Sequence, residues 1–235
     1  MHKAKLMAIE LVVLDMAGTT VHDNDNVHAA LINAFKKHEL AILREDANKV
    51  MGLPKPVAID MLLKNDFGIQ TAKRNELTPR IHQSFVSEMI SFYENDKAVR
   101  ANEHAEETFR RLKEKGIKVA IDTGFSRPIA DAIIKRLRWN EHKLIDISVT
   151  SDEVKFGRPH PDLIFEAMKR AGVKQARHVA KVGDTISDLQ EGNAAGCSYV
   201  IGITTGAYTR HELSREKHTH LIDSLLEVVD IVTQP

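Results

Sequence analysis

The chain has 235 residues, with 33 Lys and Arg against 33 Asp and Glu, so it carries no formal net charge, a balance that disfavours nucleic acid as a main partner. At this length about 70 % of the unfolded surface can be buried, in one large domain or a domain with an insertion, without disulfides or a structural metal. No apolar run suits a membrane span, Met1–Lys5 does not read as a secretory signal, and the lone Cys197 forms no intramolecular disulfide, which together point to a reducing cytoplasm.

In chain order, Ile9–Leu14 is a short apolar run that suits a buried parallel strand ending at Asp15. Three helical stripes follow with no strand between them. Val27, Leu31, Ala34 and Phe35 form the first, and Ile59, Leu62 and Leu63 the second, entered through Pro54 and Pro56. Ile81, Phe85, Met89 and Phe92 form the third, opened by Thr78-Pro79. Alternation then resumes. The pattern predicts a helix over 103–115, a strand over 117–122 and a helix from Ser126 to Leu137. It continues with a strand over 144–149, a helix over 161–171, a strand over 178–182 and a helix over 187–195, and ends with a strand over 199–203 and a helix over 223–232. His211, His218 and His220 fall in a polar loop without metal-ligand spacing. Such alternation predicts an α/β fold, a doubly wound parallel sheet with helices on both faces and an all-helical insertion after its first strand. The boundaries expected are 1–20 and 93–235 for the sheet domain and 21–92 for the insertion.

Ligands of an open α/β sheet gather outside the carboxyl ends of its strands. Those ends carry Asp15-Met16-Ala17-Gly18-Thr19-Thr20, Asp122-Thr123-Gly124, and Gly183-Asp184 with Asp188 four residues on. The loop Lys155-Phe156-Gly157-Arg158-Pro159-His160-Pro161 follows the third predicted sheet-domain strand. One cation, two or three carboxylates and a hydroxyl in one crevice can hold Mg²⁺ through oxygen ligands and bind a phosphoryl dianion. An aspartate there can attack phosphorus as a nucleophile. Each residue also has a plainer reading: Asp15 and Thr123 as turn formers, Arg158 as a solvated charge, Asp188 as a helix N-terminal acid.

In order and spacing these four motifs resemble the haloacid dehalogenase superfamily over nearly the whole chain. The resemblance implies a Rossmann-like core with a helical cap. Asp15 would form an aspartyl-phosphoryl intermediate, and Asp15, the Ala17 carbonyl and Asp184 would hold Mg²⁺. Thr123, with Gly124 beside it, would bind a phosphoryl oxygen, Arg158 would neutralise the dianion, and Asp188 would orient Arg158 or the metal's waters.

Ala17 selects a branch. Phosphatases and mutases of the superfamily place there an aspartate that protonates the departing alkoxide, and a methyl group cannot do so. Asp15–Thr20 with Gly157-Arg158-Pro159 is instead similar to the phosphonatase branch, that of phosphonoacetaldehyde hydrolase. That branch carries a cap lysine in a Met-Gly-x-x-Lys segment, matched here by Met51-Gly52-Leu53-Pro54-Lys55. The lysine forms a Schiff base with the substrate aldehyde, so that cleaving the C–P bond yields an enamine rather than a bare carbanion. The family's histidine three residues beyond that lysine is Ala58 here, and its tyrosine near the second motif is Phe125. The expected substrate is therefore a small phosphonate or phosphorylated metabolite, with Met51 and Lys55 contacting it from the cap. The alternatives are a phosphate-ester phosphatase of the phosphoglycolate phosphatase or phosphoglucomutase type, or a non-catalytic module that senses a phosphorylated ligand. For Lys55 the plainer reading is a solvated cap lysine. A homodimer is compatible with the sequence, which leaves the oligomeric state open.

Overall fold

The computed structural model describes residues 8–234, so Met1–Lys5 lies outside them. Six parallel strands form one sheet: β1 (Leu11–Asp15), β2 (Lys118–Thr123), β3 (Ile147–Thr150), β4 (Val179–Gly183), β5 (Tyr199–Ile203) and β6 (His220–Ile222). Their order is β3-β2-β1-β4-β5-β6. The chain winds outward in one direction from β1 and in the other from β4, so the switch point, where a crevice opens, lies between those two strands. All five residues of β1 are buried. Leu11 and Val13 pack on one face with helices α7 (Asp162–Ala171) and α8 (Ile186–Ala195). Val12 and Leu14 pack on the other with α5 (Ala105–Glu114), α6 (Arg127–Arg136) and α10 (Leu226–Thr233). Burial on both faces explains why β1 reads as a continuous apolar run rather than an alternating one.

Between β1 and α5 the alternation stops, as its strandless stripes predict. The segment folds as α1 (Asn26–Lys36), α2 (Arg44–Asn48), α3 (Lys55–Asn65) and α4 (Thr71–Asn95). Phe35, Ile59, Leu63, Ile81, Phe85 and Met89 form its apolar centre, which is continuous with the core on the α5 face of the sheet.

Four elements differ from the sequence pattern. Helix α4 begins at Thr71, seven residues before Thr78, and keeps Pro79 inside it. A proline here forfeits one backbone hydrogen bond, and packing of Ile81, Phe85 and Met89 below it offsets the loss. His220 belongs to β6, at the sheet edge, and His211 to α9 (Arg210–Leu213), where a loop was expected. The third sheet-domain strand spans Ile147–Thr150, and Asp146 before it already meets β2, donating its amide to the Val119 carbonyl at 2.8 Å and accepting the Val119 amide on its carboxylate at 2.9 Å.

Candidate active site

The switch point brings the four motifs together. Asp15 ends β1, Thr123 ends β2, and Asp184 follows β4 directly; these three and Arg158 are buried. A cavity of about 40 Å³ opens above them. Its walls include Asp15, Ala17, Thr123, Gly124, Arg158 and Asp184 from the sheet side and Met51, Gly52 and Lys55 from the helical insertion. Eight of the nine residues singled out in the sequence therefore share one cavity, and Asp188 lies behind Arg158 instead.

Local chain geometry fixes each group. The Thr20 hydroxyl donates to the Asp15 carbonyl at 2.7 Å, tying the turn after β1. Thr123 Oγ1 accepts the Phe125 amide at 3.1 Å, which leaves its hydroxyl proton to point elsewhere. Asp184 accepts from the Thr19 hydroxyl at 2.9 Å and from the Ala207 amide at 2.7 Å. Its carboxylate sits so close to Gly18 and Gly206 that a Cβ at either position would collide with it. Asp188 caps α8 reciprocally with Thr185 through Oδ2, as its helix-end reading requires, while Oδ1 lies 3.0 Å from Arg158.

Arg158 is no solvated charge. Its Nη1 donates to Asp15 Oδ1 at 2.6 Å, its Nη2 to Asp122 Oδ1 at 2.6 Å, and its Nε to Glu191 at 3.0 Å. Asp122, Glu191 and Lys181, all fully buried, were not singled out in the sequence. Lys181 stands two residues before Gly183-Asp184 and Glu191 three after Asp188, just outside the motif positions, and only the oddity of a lysine between Ala180 and Val182 in an apolar strand signals a role.

Lys55 opens α3 and is 4 % exposed. Its ammonium lies over the Phe85 and Phe125 rings, at 5.7 and 5.8 Å from their centroids. Burial lowers its pKa to about 8, while Asp15 and Asp23 pull the other way. Asp23 and Val27 also line the cavity, with Thr185 and Ala207; none of the four lies in a signature that the sequence reading used.

The acidic groups suit a hard dication. Oxygen atoms of Asp15, Asp184 and Asp188 lie within 4.8 Å of one another, and oxygen is the donor that Mg²⁺ takes. Burial pushes the Asp15 carboxyl up to about 6 against the pull of Arg158. Burial, and then the charge of Asp15, hold Asp184 well above the usual carboxylate range. A cation between the two would relieve what raises both.

Comparison with known proteins follows the same lines. The family described as haloacid dehalogenase-like hydrolase matches residues 9–196. A phosphonoacetaldehyde hydrolase of Bacillus cereus (strain B4264) is 32 % identical over 243 residues, covering 96 % of this chain and 87 % of its own. A phosphonoacetaldehyde hydrolase-like protein from Oleispira antarctica superposes with a TM-score of 0.82 at 21 % identity, over 99 % of this chain and 95 % of its own. A hydrolase from Pseudomonas syringae gives 0.83, also at 21 % identity, over 94 % and 96 %. The two structures establish the shared fold.

Proposed function

The chain belongs to the haloacid dehalogenase-like hydrolase family, in its phosphonatase-like branch, and from that premise we propose that it hydrolyses the C–P bond of a small phosphonate aldehyde of the phosphonoacetaldehyde type. The observation that carries this reading is Lys55: an amine with depressed basicity, buried over two aromatic rings, on the wall of the cavity that also holds Asp15. Helices α1–α4 act as the cap that brings it there, a unit that extends past the expected boundary at residue 92 because α4 runs on to Asn95.

In this reading the neutral Lys55 amine adds to the aldehyde carbon, and the carbinolamine takes up a proton and loses water, giving an iminium. Asp15 then attacks phosphorus, and the C–P bonding pair moves into the iminium to form an enamine, so no strong acid is needed at Ala17. Protonation of the enamine carbon and hydrolysis of the imine release the aldehyde and free Lys55. Water hydrolyses the aspartyl phosphate and releases orthophosphate. Arg158 balances the dianion, and the Thr123 hydroxyl donates to a phosphoryl oxygen. Mg²⁺, held by Asp15, Asp184 and the Ala17 carbonyl, would supply positive charge to the phosphoryl oxygens.

The test is Mg²⁺-dependent phosphate release from phosphonoacetaldehyde and from a panel of phosphate esters, side by side, with borohydride trapping. The expected result is turnover of the phosphonate and a reduced adduct on Lys55. No adduct, with ester turnover that is indifferent to Lys55→Ala, would overturn the reading and leave a phosphatase.

A further inference from the structure

Lys181 lies in the middle of β4, between Val13 of β1 and Val200 of β5, and has no exposed surface. A lysine buried there is costly unless its charge is matched. Its Nζ lies 2.5 Å from Asp122 Oδ1, 3.0 Å from Asp188 Oδ1 and 3.0 Å from Glu191 Oε2. Arg158 uses the same three oxygens: Nη2 is 2.6 Å from Asp122 Oδ1, Nη1 3.0 Å from Asp188 Oδ1, and Nε 3.0 Å from Glu191 Oε2. Each carboxylate oxygen thus bridges the two cations. The ligand atoms of Asp122, Asp188 and Glu191 converge within 4.8 Å, a spacing that could hold a metal ion, and the ammonium of Lys181 meets all three.

This arrangement has an electrostatic consequence. Asp122, Asp188 and Glu191 fix the guanidinium of Arg158 in place, but the carboxylate charge there, that of Asp122 above all, also cancels its field where a phosphoryl dianion would sit. A second cation on the far side of the same oxygens offsets that cancellation. We propose that Lys181 is a positioning residue, a built-in cation that locks Asp122, Asp188 and Glu191 onto Arg158 and keeps the guanidinium's charge available to a phosphoryl dianion, although Lys181 does not line the cavity. The inference rests on the reading of Arg158 as the phosphoryl-binding cation.

The charges agree with this. Burial and the neighbouring Arg158 work against the Lys181 ammonium, yet the carboxylates outweigh both and hold its pKa above the ordinary lysine value. Burial pushes the Glu191 carboxyl up to about 8. At Asp122 burial acts in the same direction, but Arg158 and Lys181 overcome it and keep the carboxyl below its ordinary value. Asp122 is therefore the carboxylate whose charge is best removed in a test.

The experiment measures binding of inorganic phosphate in Mg²⁺ by calorimetry, with thermal melts to confirm folding. Lys181→Met should weaken phosphate by about 10- to 100-fold, the effect of one uncompensated charge several Å from the ligand at an effective dielectric near 20. Asp122→Asn keeps the shape and an oxygen for both cations but removes a negative charge, and should tighten phosphate by about 3- to 10-fold on the same scale. The double variant should bind phosphate about 3- to 10-fold more tightly than Lys181→Met on the same scale. A double variant weaker than Lys181→Met would overturn the inference, because a merely structural lysine predicts further damage. So would wild-type affinity in Lys181→Met. Should Lys181→Met fail to fold, Asp122→Asn alone decides, and unchanged or weaker binding overturns. Arg158→Gln separates the underlying reading: if it binds phosphate as well as the wild type, the role of Arg158 falls and the inference with it. If it loses phosphate while Lys181→Met does not, only the inference falls.

Discussion

Asp15 is held by opposing demands: burial raises its pKa to about 6, while Arg158 at 2.6 Å favours the carboxylate. Asn fills the same volume and still accepts from Arg158, but an amide cannot attack phosphorus. Asp15→Asn should keep its melting temperature within a few degrees of the wild type and lose turnover by about a thousandfold or more, read as steady-state phosphate release. Lys55 gives a pH signature. Burial lowers its pKa from 10.5 to about 8, and the neutral form is the nucleophile, so the attacking fraction rises with pH through 8 and levels above it. Borohydride inactivation in the presence of aldehyde should accelerate by about tenfold between pH 7 and pH 9 and then plateau. Acceleration that continues past pH 10 would mark an ordinary solvated lysine. Asp15, Thr123, Arg158 and Asp184 were legible because each stands at or just beyond a strand end, or in a loop of marked composition. Asp122 could be read only as a motif neighbour. Lys181 showed only as a lysine in an apolar strand and Glu191 showed no signal, since their role depends on β4 and α8 meeting β2 across the sheet, a long-range pairing that local spacing does not encode.

The α2–α3 connection shows how an element carries the site. Gly52 has φ of 81°, and a Cβ there would strike the Thr185 side chain at the start of α8. On the other side, Gly124 faces the Gly52 and Leu53 carbonyls with no room for a larger residue, a Cβ falling 3.1 and 3.0 Å from those oxygens. The loop that delivers Met51 and Lys55 thus rests backbone to backbone on the second motif. Gly52→Ala should cost about 1–2 kcal/mol from the left-handed backbone, which lowers the melting temperature of a chain this size by about 2–8 °C. It should lower activity disproportionately, by about tenfold or more, because Lys55 moves with the loop. Activity that falls no further than stability accounts for would mean that the loop only packs. Strands β1, β2, β4 and β5 were legible because burial on both faces makes each a short apolar run. The edge strand β6 was not, since His220-Leu221-Ile222 is too short to show a period. The start of α4 was hidden because a proline usually marks a first turn, and only the packed face of α4 shows that it lies in the interior.

At the scale of the molecule, the proposed nucleophile and the proposed amine sit on different segments of the chain. Asp15 is 5 % exposed on the sheet and Lys55 4 % exposed on the insertion, so a substrate that must touch both enters only if the two separate. The two connecting segments show where they can bend. His22 donates its amide to the Arg100 carbonyl at 3.1 Å and Asn102 to the Thr20 carbonyl at 2.8 Å, while the Asn102 side chain donates to Gly18 and Thr19 carbonyls. These bonds tie residues 20–22 and 100–102 to each other and to the turn after β1. Motion is left to 23–25, which includes Asp25 at φ 61°, and to 96–99 beyond the end of α4. Structures with and without a bound phosphate analogue should therefore differ by a rigid displacement of α1–α4, with the dihedral change confined to those two stretches. Amide exchange should report the same motion: the Val50–Lys55 loop gains protection when phosphate and Mg²⁺ are added, and His22 and Asn102 stay protected throughout. Equal protection of the loop in both conditions, with superposable structures, would show a cavity that fills without opening, and the insertion would then be a fixed wall rather than a lid.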